Sequence, residues 1–184
     1  MNADSLLMRL KRGERLAERE IDSVRRALAD KGTSEDKYTL VHVLWKSGDV
    51  QSRDVIKAQL VDADEMVRRI ALQAVTELFP DDEAFDLALN SLRDPSQYVR
   101  MAAATALGSL GATLPARSAE AARLLLEFFV RRQAEMGPEW EAYYEGLLEL
   151  MQVPQDRRPL ATKTLRAGDI DNAVIASARR LASP

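Results

Sequence analysis

Four carboxylates stand at helical spacing in one stretch of the sequence, GPEWEAYYEGLLEL: Glu139, Glu141, Glu145 and Glu149. Carboxylates gathered on a helix face are the raw material of acid–base chemistry or of a metal site. The remaining parts of either are missing from the sequence. A di-metal site in a helical bundle draws on Glu-x-x-His pairs, and no such pair occurs. Histidine appears once, at His42, and cysteine not at all. Histidine clusters, thiolate zinc sites, disulfides and cysteine nucleophiles are thereby excluded. The glycines form no phosphate loop and read as helix ends that need left-handed caps. The four glutamates read as a solvated acidic helix face. His42, between Val41 and Val43 and near Trp45, reads as a packed or half-exposed structural residue. No catalytic residue, metal ligand or cofactor site is assigned.

The elements that would position any site are helical throughout. Apolar residues recur at helical period, and no alternating strand pattern of useful length appears. In residues 5–29, Leu6, Leu10, Ala17, Ile21, Val24 and Leu28 share one side of an amphipathic helix that can break near Gly13. The pattern predicts further helices over 37–46, 52–61, 64–79, 118–134 and 138–153, with Ser34 as an N-cap after the turn DKGTSED. FPDD, RDPS, LGAT, EMGPE, VPQD and RAGD punctuate the rest. Helices this closely spaced leave little chain for loops and describe an antiparallel helical array.

Composition sets bounds on function. Hydrophobic residues make up 46% and charged residues 30% of the 184, as in a globular chain with a sizeable core. The apolar run 124–130 is interrupted by Glu127 and too short to span a bilayer, so no membrane role is expected. The segment MNADSLLMRLKRGER lacks the apolar core of a signal peptide, and a cytoplasmic location is the expectation. Residues 32–111 carry 8 Lys and Arg against 13 Asp and Glu, within a net charge of -3. An acidic centre argues against a phosphate-tracking surface, hence against nucleic acid as a partner.

The decisive pattern is an internal repeat. DADEMVRRIALQAVTELF, starting at Asp62, returns 32 residues later as DPSQYVRMAAATALGSLG, starting at Asp94. The shift lays Val67 on Val99, Arg68 on Arg100, Ala71 on Ala103, Ala74 on Ala106 and Leu78 on Leu110. From Val67 these fall at i, i+4, i+7 and i+11, one helix face, so one packing problem is solved twice. Asp62 and Asp94 stand where a helix begins and can accept from free backbone N–H groups there. Asp62 with Glu65 has capping-box spacing, and Pro95 fits a first helical position. The alanines permit close helix approach. Each arginine is expected to reach an inter-helix aspartate of its own or an adjacent repeat.

These residues resemble the HEAT-like repeat family, with its order of Asp, Val-Arg, Ala and Leu in the second helix of each pair. The 32-residue repeat looks like the short form of bacterial HEAT-like proteins, including those related to phycobilin lyases. The likeness covers residues 50–111, extends weakly back to YTLVHVLWKSGD, and returns in PLATKTLRAGDIDNAVIASARRL, where Leu165 and Arg166 fall on Leu92 and Arg93. It implies an all-α fold: a short right-handed α-solenoid of stacked antiparallel helix pairs, about nine or ten helices in all. Residues 1–31 would form an N-terminal helical cap, 32–111 the repeats, and 112–184 divergent pairs ending in a capping repeat, as one continuous domain. HEAT-like enzymes that bind iron use His-Glu pairs, which this sequence lacks.

The resemblance implies a binding function on the inner, concave face made by the second helices. Expected there are Glu65, Arg69, Gln73 and Thr76, aligned with Gln97, Met101, Thr105 and Gly108, while Asp62, Val67, Arg68, Asp94, Val99 and Arg100 serve the stack. Tyr38, Trp45, Tyr98, Trp140, Tyr143 and Tyr144 supply aromatics, with Tyr143 and Tyr144 the favoured pair because adjacent helix positions are not expected to both point inward. The expected function is a non-enzymatic adaptor or scaffold for another protein, one bearing a basic patch, with oligomeric state left open. Alternatives are a bacterial immunity or inhibitor protein that occludes a toxin, an accessory factor of a modifying enzyme, and a DNA-binding HEAT-like protein.

Overall fold

A computed structural model describes residues 2–30, 36–134, 137–159 and 165–183. Ser34, the expected cap, lies outside these residues, as does 160–164 within the C-terminal echo of the repeat. Among the described residues there are ten α-helices and no strand. The chain divides into two compact units, Met1–Phe79 and Pro80–Pro184.

The first unit contains α1 (Ala3–Lys11), α2 (Glu18–Ala29), α3 (Lys37–Ser47), α4 (Arg53–Lys57) and α5 (Glu65–Leu78). The amphipathic segment expected over 5–29, with its break allowed near Gly13, is two helices parted where Gly13 takes φ +82°. Helix α4 is the short middle of a broken helix, flanked by 3-10 turns at Val50–Ser52 and Ala58–Val61. Odd-numbered helices pack together, α1 on α3 and α3 on α5, and even-numbered ones likewise, α2 on α4. The result is two layers of helices, closed by contacts of α2 with α3 and α4 with α5. Val24, Leu40, Leu44, Ile56 and Leu72 fill the space between the layers.

The second unit contains α6 (Asp82–Ser91), α7 (Gln97–Thr113), α8 (Ser118–Arg132), α9 (Pro138–Leu150) and α10 (Asn172–Ala182). The same rule holds: α7 lies on α9 and α8 on α10, while α6 and α8 each pack on α7 and α8 on α9. The α7–α9 contact is made at backbone distance. A Cβ built on Gly108 would stand 2.1 Å from the carbonyl oxygen of Gly146, and one on Gly146 would stand 2.5 Å from that of Ala104. A Cβ on Gly111 would stand 2.7 Å from Ala121 Cβ and Leu150 Cδ1. The expectation that glycines serve helix ends is therefore corrected. Gly13 and Gly48 do so with positive φ, but Gly108, Gly111 and Gly146 lie inside helices and let backbones meet.

The repeat-constant letters are explained by this packing. Val67, Val99, Ala71, Ala74 and Ala103 are buried; Ala106 is half-buried. The aspartates act one step before the helix instead of at its cap. Asp62 Oδ1 accepts from Asp64 N at 2.9 Å, and Asp94 Oδ1 from Ser96 N at 2.8 Å. The caps themselves are Asp64 and Ser96, which accept from Met66 N and Tyr98 N. The capping box from Asp62 and the helical start at Pro95 are thus corrected, and α7 begins at Gln97.

The arginines close the same turn from the other side. Arg68 Nη1 donates to the carbonyls of Asp62 and Ala63 at 2.9 and 3.1 Å. Arg100 Nη1 donates to those of Asp94 and Pro95 at 2.8 and 2.9 Å. Each guanidinium thus ties the turn leading into its own helix. Longer links join separate elements as well. Lys37 Nζ reaches Asp62 Oδ2 at 2.6 Å, joining α3 to the turn before α5. Arg100 holds Glu139 of α9 with two bonds of 2.8 Å.

Candidate protein-binding face

In the first unit the exposed stripe of α5 runs through Glu65, Arg69 and Gln73, all half-buried, to exposed Glu77. Thr76, expected on this face, is buried and donates to the Leu72 carbonyl at 2.9 Å. Arg69 has no ion-pair partner among the described residues. Alongside lies α3, whose Tyr38, His42 and Trp45 fall at i, i+4 and i+7 and are each half-buried. His42 meets Tyr38 edge-on at 5.8 Å and stacks on Trp45 at 5.5 Å. Lys46 Nζ covers the Trp45 ring at 3.9 Å from its centroid. Trp45 Nε1 donates to Glu77 Oε2 at 3.2 Å, which joins the two stripes. Burial and the nearby charges of Lys46 and Lys11 push the His42 pKa down, favouring neutral imidazole.

In the second unit, Gln97 is exposed and Met101 and Thr105 are half-buried on α7. Tyr98 stands 46% exposed beside them. Gly108, expected to continue the column, is instead buried against Gly146.

Tyr143 and Tyr144 are both 1% exposed, which corrects their expected place on a binding surface. Helix α9 is packed by α7, α8 and α10, so neighbouring positions 100° apart both face protein. Tyr143 stacks on Phe128 at 5.2 Å and donates to Glu139 Oε1 at 3.2 Å. The Tyr144 hydroxyl accepts from Asp171 N at 2.8 Å, anchoring the start of α10.

Of the α9 glutamates, Glu139 departs from the expected solvated acidic face, while Glu141, Glu145 and Glu149 are half-exposed. Glu139 is buried, and its bonds to Arg100 hold its carboxyl below the usual carboxylate range. Glu141 accepts from Leu165 N at 3.0 Å. Glu145 and Glu149 both bind Arg158, which also donates to the Val153 carbonyl at 2.8 Å. Among the described residues no group of three or more His, Asp or Glu is arranged to hold a metal ion. No described helix is long and apolar enough to cross a membrane.

Repeat turns, paired layers and glycine-mediated contacts agree with what part of the chain is similar to. Residues 53–136 match the model of HEAT repeats. The HEAT-like character read from Asp62–Val67–Arg68 and Asp94–Val99–Arg100 is borne out over that span, and the chain is an all-α protein of stacked helix pairs. No curated protein matches it. HEAT repeats commonly mediate protein interactions, so a scaffold role is the general function the fold accommodates.

Sequence reasoning missed His42 and Glu77 as members of the candidate face. A signal was present: the 32-residue shift that aligns Asp62 with Asp94 also lays Trp45 on Glu77. Those two residues touch.

Proposed function

We propose that the protein is a non-enzymatic protein-binding module, an adaptor or scaffold that engages its partner through the exposed faces of its second helices. Glu65, Arg69 and Gln73 would make the contact in the first unit, and Gln97, Met101 and Thr105 in the second. The observation that carries this reading is the half-exposed ladder Tyr38–His42–Trp45, tied to the α5 stripe through Glu77. These rings are left half-exposed, and aromatic residues are among the strongest contributors where proteins bind. The carboxylates Glu65 and Glu77 on this face favour a partner with a basic patch. The alternative of Glu139, Glu141, Glu145 and Glu149 as working carboxylates is weakened by their engagement in structural bonds.

The test is capture of the partner from the native host, then repetition with Arg69→Glu combined with Met101→Glu. The variant should keep its helical circular dichroism and melting temperature and lose the partner. Capture at full strength would place the contact elsewhere.

A further inference from the structure

A different surface of the second unit carries its own recognition chemistry. Helices α6 and α8 both rest on α7 and leave a groove of about 610 Å3 between them. At their N-terminal ends the two helices are bridged by Arg117. Its guanidinium binds Asp82 at 2.8 Å, Asp86 at 2.5 Å and Glu120 at 2.8 Å, and lies 4.7 Å from the Phe85 ring. Toward the C-terminal ends the floor is apolar: Leu89, Leu92, Leu124 and Phe128. Phe128 is fixed by its stack on buried Tyr143.

The charges on the rim are unequal in their freedom. Glu120 is taken by Arg117, and Glu127 by Arg131 at 2.7 Å. Arg93 at the end of α6 and Arg123 on α8 are exposed and have no carboxylate at ion-pair distance among the described residues. Across α8 a second trough of about 660 Å3 shares Arg123 and Arg131 and adds exposed Val130 and Arg179. A protein of net charge -3 thus concentrates unpaired guanidiniums around an apolar trough.

We propose that the α6–α8 groove docks an acidic amphipathic helix of a partner protein, its apolar side on Leu89, Leu124 and Phe128 and its carboxylates on Arg93 and Arg123. Guanidinium forks match carboxylates in paired hydrogen bonds, and an apolar trough between helices receives a helix by its i, i+3, i+4 and i+7 residues. Nucleic acid suits the groove less well. Glu120 and Glu127 stand on its rim, and a phosphate-tracking surface has no use for an apolar floor. Within the second unit this groove, between α6 and α8, is separate from the α7 positions Gln97, Met101 and Thr105.

The probe is a labelled helical peptide of Leu and Glu about four turns long, followed by fluorescence polarisation. Its controls are a Leu and Lys counterpart and a labelled single-stranded oligonucleotide. The Leu and Glu peptide should bind saturably, and the controls should not. Arg93→Glu with Arg123→Glu, checked for unchanged circular dichroism, should weaken the peptide about tenfold or more. Leu124→Glu should weaken it as well, without altering the charge of the arginines. The proposal is overturned if the peptide fails to bind, if the double variant binds it unchanged, or if the oligonucleotide is held in its place. Sedimentation showing a dimer that Arg93→Glu with Arg123→Glu dissolves would also overturn it, since the occupant would then be a second copy.

Discussion

Arg100 separates two roles that the repeat assigns to one letter. Its Nη1 binds the carbonyls of Asp94 and Pro95 as Arg68 binds those of Asp62 and Ala63, a local duty common to both repeats. Its other nitrogens hold buried Glu139, 39 residues away. Arg100→Ala would leave that carboxylate without its main partner, and a loss of about 1–3 kcal/mol in stability is expected from denaturant unfolding. Because folding lowers the Glu139 pKa, its contribution is present above the unfolded carboxylate value and disappears as pH falls through the folded one. Glu139→Gln should therefore remove part of the acid sensitivity of the fold. His42 gives a second pH signature with a milder range. Folding favours its neutral form, so its contribution is whole above the ordinary value of 6.5 and shrinks as pH falls below it. Melting measured from pH 7.5 to about 5 should decline more steeply for the wild type than for His42→Gln; equal slopes would mean that neither burial nor Lys46 and Lys11 act on the ring.

At the scale of the element, the governing contact is α7 on α9. Gly108 and Gly146 meet at backbone distance, and a methyl group at either has nowhere to go without parting the helices. Gly108→Ala and Gly146→Ala should each destabilise by about 1–3 kcal/mol or more, read from thermal or denaturant unfolding, despite alanine's better helix propensity. A stabilised Gly146→Ala variant would show that the helices can move apart cheaply. The helices themselves were largely legible in the sequence, since their periodicity is a local property. Starts at Lys37 and Pro138, and the break at Gly13, follow from capping and turn chemistry. Contacts between distant segments were not legible. That Gly108 faces Gly146, or that Tyr143 and Tyr144 are both interior, depends on how many neighbours surround α9, which no local pattern contains. The broken helix around α4 escaped for the opposite reason. Residues 52–61 have the apolar spacing of one helix, but their ends close as 3-10 turns.

For the molecule as a whole, the 32-residue repeat divides its residues into two populations. Letters kept between copies are used up in packing and turn closure: Val67 and Val99, Ala71 and Ala103, Arg68 and Arg100. Letters that differ remain accessible: Glu65 against Gln97, Arg69 against Met101, Gln73 against Thr105. The repeat was visible because stacking reuses one solution, whereas a binding face carries whatever its partner demands and so leaves no internal pattern. The ladder Tyr38–His42–Trp45, which required the structure to place, lies beside the α5 positions of the first unit. The division itself can be tested most directly by calorimetric titration of the captured partner into two variants of matched helical content. Arg69→Glu with Met101→Glu should lower affinity about a hundredfold or more and leave the melting temperature in place, whereas Arg68→Ala with Arg100→Ala should lower the melting temperature and leave affinity intact below it. Unchanged affinity in the first variant, or lost affinity in the folded second, would contradict the assignment of binding to the residues that the repeats do not share.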